Sequence, residues 1–334
     1  MARFAALLAL ALALVAVPRS ARADFSDNPY PCMFCLFEIR VAHGQGWILP
    51  DQHMSTFLDL SPDREQVLFW GYHDVGGTRP FIARETIYGK HARTIVDVDL
   101  TFVGTQRAEW SPDGRRIVFP LSRGVPAACY GTALWVANVD RTDAHRVAGP
   151  CATAPEWSPD SRRLAFLDDD ALSTVAVDGS DLRRLETPGA AMGGIAWSPD
   201  GRWIAFDVGP EARPTIRVVR ADGTAPPRDV ASGNLPAWSP DGRRIVFTSR
   251  GRGVFVVDRS GRHLRRLARL GYAPTWSPDG RTIAYVTGQI FLVRPDGTHR
   301  RQLTHLKSGG AIDWFAWTRT AKRLLYGWEF TDVD

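Results

Sequence analysis

Short apolar runs recur along this chain, each with a polar turn in front of it. They are Val67-Leu68-Phe69, Ile117-Val118-Phe119, Leu164-Ala165-Phe166, Ile204-Ala205-Phe206, Ile245-Val246-Phe247, Ile283-Ala284-Tyr285 and Leu324-Leu325-Tyr326. None alternates with polar residues, so each reads as a strand buried on both faces. In the clear copies the run follows Trp-Ser-Pro-Asp-(Gly or Ser)-Arg, starting at Trp110, Trp157, Trp197, Trp238 and Trp276. Weaker copies start at Leu60 and Trp317, the latter without the turn residues. In the clear copies Pro presets φ for the first central turn position, Asp suits the second, and Gly supplies the left-handed position. The tryptophan ends one strand, and the apolar run forms its antiparallel partner.

The spacing averages about 43 residues, the period of propeller blades. Third strands are legible at 133–139, 172–177, 215–220, 254–258 and 290–294, with turns such as Asp178-Gly179, Asp222-Gly223 and Asp296-Gly297 after them. Residues 36–49 read as two outer strands without inner ones. Residues 311–317 and 323–330 read as two inner strands without outer ones. The two ends complete one blade. The expected fold is all-β: a β-propeller of seven four-stranded blades, closed by pairing the N- and C-terminal strands. Six blades, with 317–334 as an appendage, is the alternative.

Composition adds the setting. The chain has 334 residues, 44% of them hydrophobic, enough for one large propeller domain over 24–334. Residues 1–23 read as a signal peptide: Arg3, an apolar stretch from Phe4 to Val17, and Ala21-Arg22-Ala23 before Asp24. Cleavage would leave no membrane-spanning segment, so the mature protein is expected in the periplasm or secreted. It would also remove Arg3, Arg19 and Arg22 and no acid, taking the net charge from +5 to +2. So small a charge argues little for nucleic-acid binding, and none is expected. Basic pairs on the fourth strands, His145-Arg146, Arg183-Arg184, Arg265-Arg266 and Arg300-Arg301, suit edge strands that must not aggregate, with a basic rim for anionic partners as the alternative.

Four cysteines in an exported chain point to disulfides. Cys129 and Cys151 lie in loops expected on the same face of one blade, which predicts a Cys129–Cys151 bond. Cys32 and Cys35 form a C-x-x-C pair without the strand-to-helix setting of a redox motif, and whether they pair stays open. No nucleophile elbow, metalloprotease motif, phosphate loop or dinucleotide fingerprint is present. The Asp of each repeat reads as a turn former. The residue before the tryptophan position is more telling. It is Asp59, Glu109 and Glu156 in the first three copies and uncharged in the others. These acids would form a wall for a basic partner group or Ca²⁺, or pair separately with arginines. The glycine-rich loop 71–77 offers His73 and Asp74 as a further candidate pair.

The Trp-Ser-Pro-Asp-Gly-Arg repeat resembles that of the TolB-type propeller family, over roughly residues 34–334. Similar repeats occur in the propellers of prolyl oligopeptidase-type enzymes and of oligogalacturonate lyase. The α/β domain of TolB and a hydrolase domain are not expected within these 334 residues. The resemblance implies a periplasmic or secreted propeller. The expected function is a non-enzymatic scaffold, monomeric, binding a protein partner in the cell envelope. The alternative is a carbohydrate-binding or lyase-type protein.

Overall fold

The computed structural model describes residues 34–40, 46–48, 56–63, 65–72, 80–86, 92–97, 108–121, 133–168, 171–185, 191–210, 213–249, 251–306, 310–318 and 320–330. The expected signal peptide, Cys32, His73, Asp74 and Cys129 lie outside them. Every regular element among the described residues is a β-strand.

These strands make seven four-stranded antiparallel sheets. Six consist of consecutive strands and are numbered here as blades one to six, with first strands beginning at Thr56, Glu109, Ala152, Ala191, Asn234 and Tyr272. The seventh joins Gly310–Trp317 and Arg323–Phe330 to Phe34–Arg40 and Gly46–Ile48. Its central pairing is antiparallel, from Phe34 opposite Glu329 to Arg40 opposite Arg323. The joining of the two chain ends expected from their complementary strands is present.

Hydrophobic clusters bind each blade to the next. Trp110 of blade two packs with Leu68 and Ile82 of blade one. Trp238 of blade five packs with Ala205 and Val218 of blade four. Blade seven closes the ring: Trp317 and Leu324 pack with Ala284 and Leu292 of blade six, and Leu325 with Leu60 and Val67 of blade one. A middle strand with a sheet on either side must be apolar in both directions. Ile245, Val246 and Phe247 are accordingly all buried.

The turns show why the repeat needs its polar residues. The Ser111 hydroxyl accepts from the Arg116 N–H (2.9 Å) and donates to Asp113 Oδ1 (2.6 Å). Asp113 Oδ1 also accepts from the Arg115 N–H (3.0 Å). Gly114 donates to the Ser111 carbonyl (2.8 Å) at φ 73°, the left-handed position predicted for it. Blade seven keeps this geometry without Ser, Pro, Asp or Gly. There Thr318 Oγ1 accepts from the Arg323 N–H (3.2 Å), and Ala321 adopts φ 58°.

The tryptophans do more than end strands. Trp157 Nε1–H donates to the Glu109 carbonyl (3.2 Å), Trp197 to Glu156 (3.1 Å), Trp238 to Ala196 (3.0 Å) and Trp276 to Ala237 (3.3 Å). Each bond joins one blade to the preceding one. The indole N–H groups of Trp110 and Trp317 have no partner among the described residues.

Candidate functional site

The predicted acids sit at the seams between blades. Asp59 is half-buried, and its carboxylate accepts from the N–H of Leu60 (2.7 Å) and of Trp110 in blade two (2.8 Å). Glu109 and Glu156 are also half-buried, and their main-chain carbonyls receive the indole bonds of the next blade. Among the described residues, no three His, Cys, Asp or Glu side chains gather in a way that could hold a metal ion. Cys151 is disulfide-bonded, and its predicted partner Cys129 lies outside the described residues.

The repeat aspartates are turn formers, as read from the sequence. Burial tends to raise the carboxyls of Asp113, Asp200, Asp241 and Asp279. Hydrogen bonds from the serine hydroxyl and a backbone N–H outweigh it, and nearby arginines add to them, holding all four below their ordinary value. The basic residues of the fourth strands are largely engaged. Arg183 shares Asp181 with Arg163 of the second strand (2.8 and 2.6 Å), and Arg265 donates to the Asp296 carbonyl (2.6 Å). These contacts belong to inter-strand and inter-blade stitching.

A different group of residues is presented to solvent at the other end of the inner strands. The first strands of blades three, five and six each carry a bulge, with Ala154, Leu235 and Ala273 in the left-handed region at φ 49°, 52° and 48°. Left-handed backbone is costly for a branched side chain, so something must hold it. At Leu235 the holder is Asp207, 1% exposed, on the second strand of blade four. Its Oδ2 accepts from the Leu235 N–H (2.8 Å) and its Oδ1 from the Gly194 N–H (3.2 Å). A Cβ on Gly194 would lie 2.4 Å from Asp207 Oδ2, so only glycine admits this carboxylate. The bulge leaves the Leu235 side chain 44% exposed.

Next to it, the chain enters blade six through Leu270, Gly271 and Tyr272. Gly271 has φ 136°, and a Cβ there would lie 2.5 Å from Tyr285 Cδ2. The backbone therefore passes directly over the Tyr285 ring, and the flanking side chains turn outward. Leu270 is 69% exposed and Tyr272 45%. The inner strands of blades five and six are neighbours, so three large apolar side chains share one end of adjacent strands. Scattered exposed leucines are ordinary; a group held out by a pinned bulge and an obligatory glycine suits contact with another molecule.

Sequence reasoning did not find this group. Asp207 left a signal, an acid inside the apolar run Ile204-Ala205-Phe206-Asp207-Val208. Leu235, Leu270 and Tyr272 left none, because apolar residues beside inner strands look like core.

Together the ring of sheets and its repeated turns define a β-propeller protein. The profile of the TolB beta propeller domain matches residues 108–321, and the chain belongs to that family. Among solved structures it is similar to a TolB-assigned protein from Agrobacterium tumefaciens, at 17% identity and a TM-score of 0.55, over 91% of this chain and 100% of that one. It is also similar to an oligogalacturonate lyase from Vibrio parahaemolyticus, at 13% identity and a TM-score of 0.57, over 77% and 79%. A third is hydrazine synthase from Kuenenia stuttgartiensis, at 14% identity and a TM-score of 0.53, over 74% and 80%. At such identities the likeness shows the fold and leaves the activity open. No curated protein matches the chain.

Proposed function

We propose that this propeller is an exported interaction scaffold that binds a protein partner in the cell envelope, in the periplasm or after secretion. The observation that carries the reading is the exposed group Leu235, Leu270 and Tyr272, held outward by Asp207 and Gly271. Apolar side chains fixed on a rigid support lose little entropy on binding, which favours them as anchors. The signal-peptide pattern of residues 1–23 supports export, and a Cys129–Cys151 bond would suit an oxidising compartment. No helix among the described residues is long and apolar enough to cross a membrane. Asp59, Glu109 and Glu156 are proposed as contacts for a partner's basic groups, and the pair His73 and Asp74 as a further polar contact.

The test is affinity capture from cell envelopes by the tagged protein, beside a Leu270→Asp/Tyr272→Asp variant. A defined envelope protein should bind the wild type in purified form and bind the variant at least about tenfold more weakly. Equal binding by both, or turnover of an acidic polysaccharide by the purified chain, would overturn the reading.

A further inference from the structure

Arginines crowd the corner where blade four meets blade five, at the end of the blades opposite Leu235. Arg228 opens the fourth strand of blade four, and its Nη2 donates to the main-chain carbonyl of Arg259 in blade five (2.6 Å). The Arg259 guanidinium lies over the Trp203 ring, 4.9 Å from its centre, and Arg220 lies 5.6 Å from the same centre. The acids nearby are largely taken. Asp222 holds Arg220 (2.6 Å), and Asp229 holds Arg217 (2.7 Å). Asp200, bonded to Ser198 and the Arg202 N–H, attracts Arg259 without forming an ion pair with it.

Arg228 is the residue left over. The Arg259 carbonyl is its one hydrogen-bond acceptor among the described residues, and no carboxylate there pairs with it. Desolvation and the Arg259 charge both lower the pKa of the Arg228 guanidinium from its ordinary value, as a neighbouring like charge does. Two repelling guanidiniums with unused donors are suited to a planar or tetrahedral anion, because each fork can grip two oxygens. The cation–π contact with Trp203 fixes Arg259 in advance.

We propose that Arg228 and Arg259 form an oxyanion site that takes a phosphate, sulfate or carboxylate group. The site needs no apolar partner surface, so its fate and that of the scaffold reading are separable.

The test titrates the full chain with sodium phosphate, sodium sulfate or sodium acetate, against sodium chloride at matched ionic strength, and follows the melting temperature. At least one oxyanion should give a saturating rise that chloride does not, and the responding salt identifies the group. Arg228→Gln and Arg259→Gln should each raise the half-saturating concentration roughly tenfold or more, the scale of a lost charge-assisted contact. Arg281→Gln, on a turn of blade six, should leave it unchanged. Arg228→Lys covers the case in which a glutamine variant does not fold: it keeps the cation, loses the fork and weakens binding severalfold. No saturating response to any of the three salts, or an equal loss in Arg281→Gln, would overturn the site.

Discussion

Replacing Trp238 by Phe removes one hydrogen bond between blades and a small amount of buried surface. Trp238 is 8% exposed, and its Nε1–H donates to the Ala196 carbonyl at 3.0 Å. The smaller ring loses about 40 Å² of apolar burial, or about 1 kcal/mol. Loss of the hydrogen bond adds about 1 kcal/mol, with Ala196 deprived of a donor. The expected total is about 2 kcal/mol. Trp110 supplies an internal control. It is 6% exposed, packs in the same way, and its indole N–H has no partner among the described residues. Trp110→Phe should therefore cost only the burial part, about 1 kcal/mol. Urea unfolding followed by far-ultraviolet circular dichroism separates the two. A difference of about 1 kcal/mol corresponds to about 0.3 M in the midpoint for a chain of this size. Equal midpoints in the two variants would show that the indole bonds do not help hold the ring, and that the tryptophans act by packing alone.

Three further outcomes are expected. Asp207→Ala strips the acceptor from the N–H groups of Leu235 and Gly194, and should cost about 2–4 kcal/mol in urea unfolding; a loss below about 0.5 kcal/mol would mean the bulge holds itself. Acid should unfold the protein through its turn aspartates. Asp113, Asp200, Asp241 and Asp279 titrate below their ordinary value in the fold, so their contribution is complete above about pH 4–5 and is lost as pH falls through the lower folded values. Urea midpoints between pH 6 and 2 should fall less steeply when all four are Asn, and an unchanged slope would refute that origin. Finally, peptide mapping of the unreduced protein should recover Cys129 linked to Cys151, and reduction should cost about 2–4 kcal/mol; Cys151 linked to Cys32 or Cys35 would refute the pairing.

The sequence alone determined the blade. A two-faced apolar run, a turn with a preset φ and a left-handed glycine leave one local answer, an antiparallel pair buried on both sides. The complementary deficits at the two ends, outer strands near residue 36 and inner strands near 317, also made the closing sheet readable. Local rules reach that far because turn chemistry acts within five residues, as from Ser111 to Arg116. The tertiary structure decided everything that depends on two blades meeting. It gave the tryptophans of four copies a carbonyl in the preceding blade, bound the Asp59 carboxylate to the Trp110 N–H, and placed Arg228 beside Arg259. It also turned Leu235 outward through a carboxylate 28 residues earlier in the chain. Residue type says whether a side chain can be buried. Only the neighbouring sheet fixes which apolar residues are covered, which polar groups are already spoken for, and which of each remain open to another molecule.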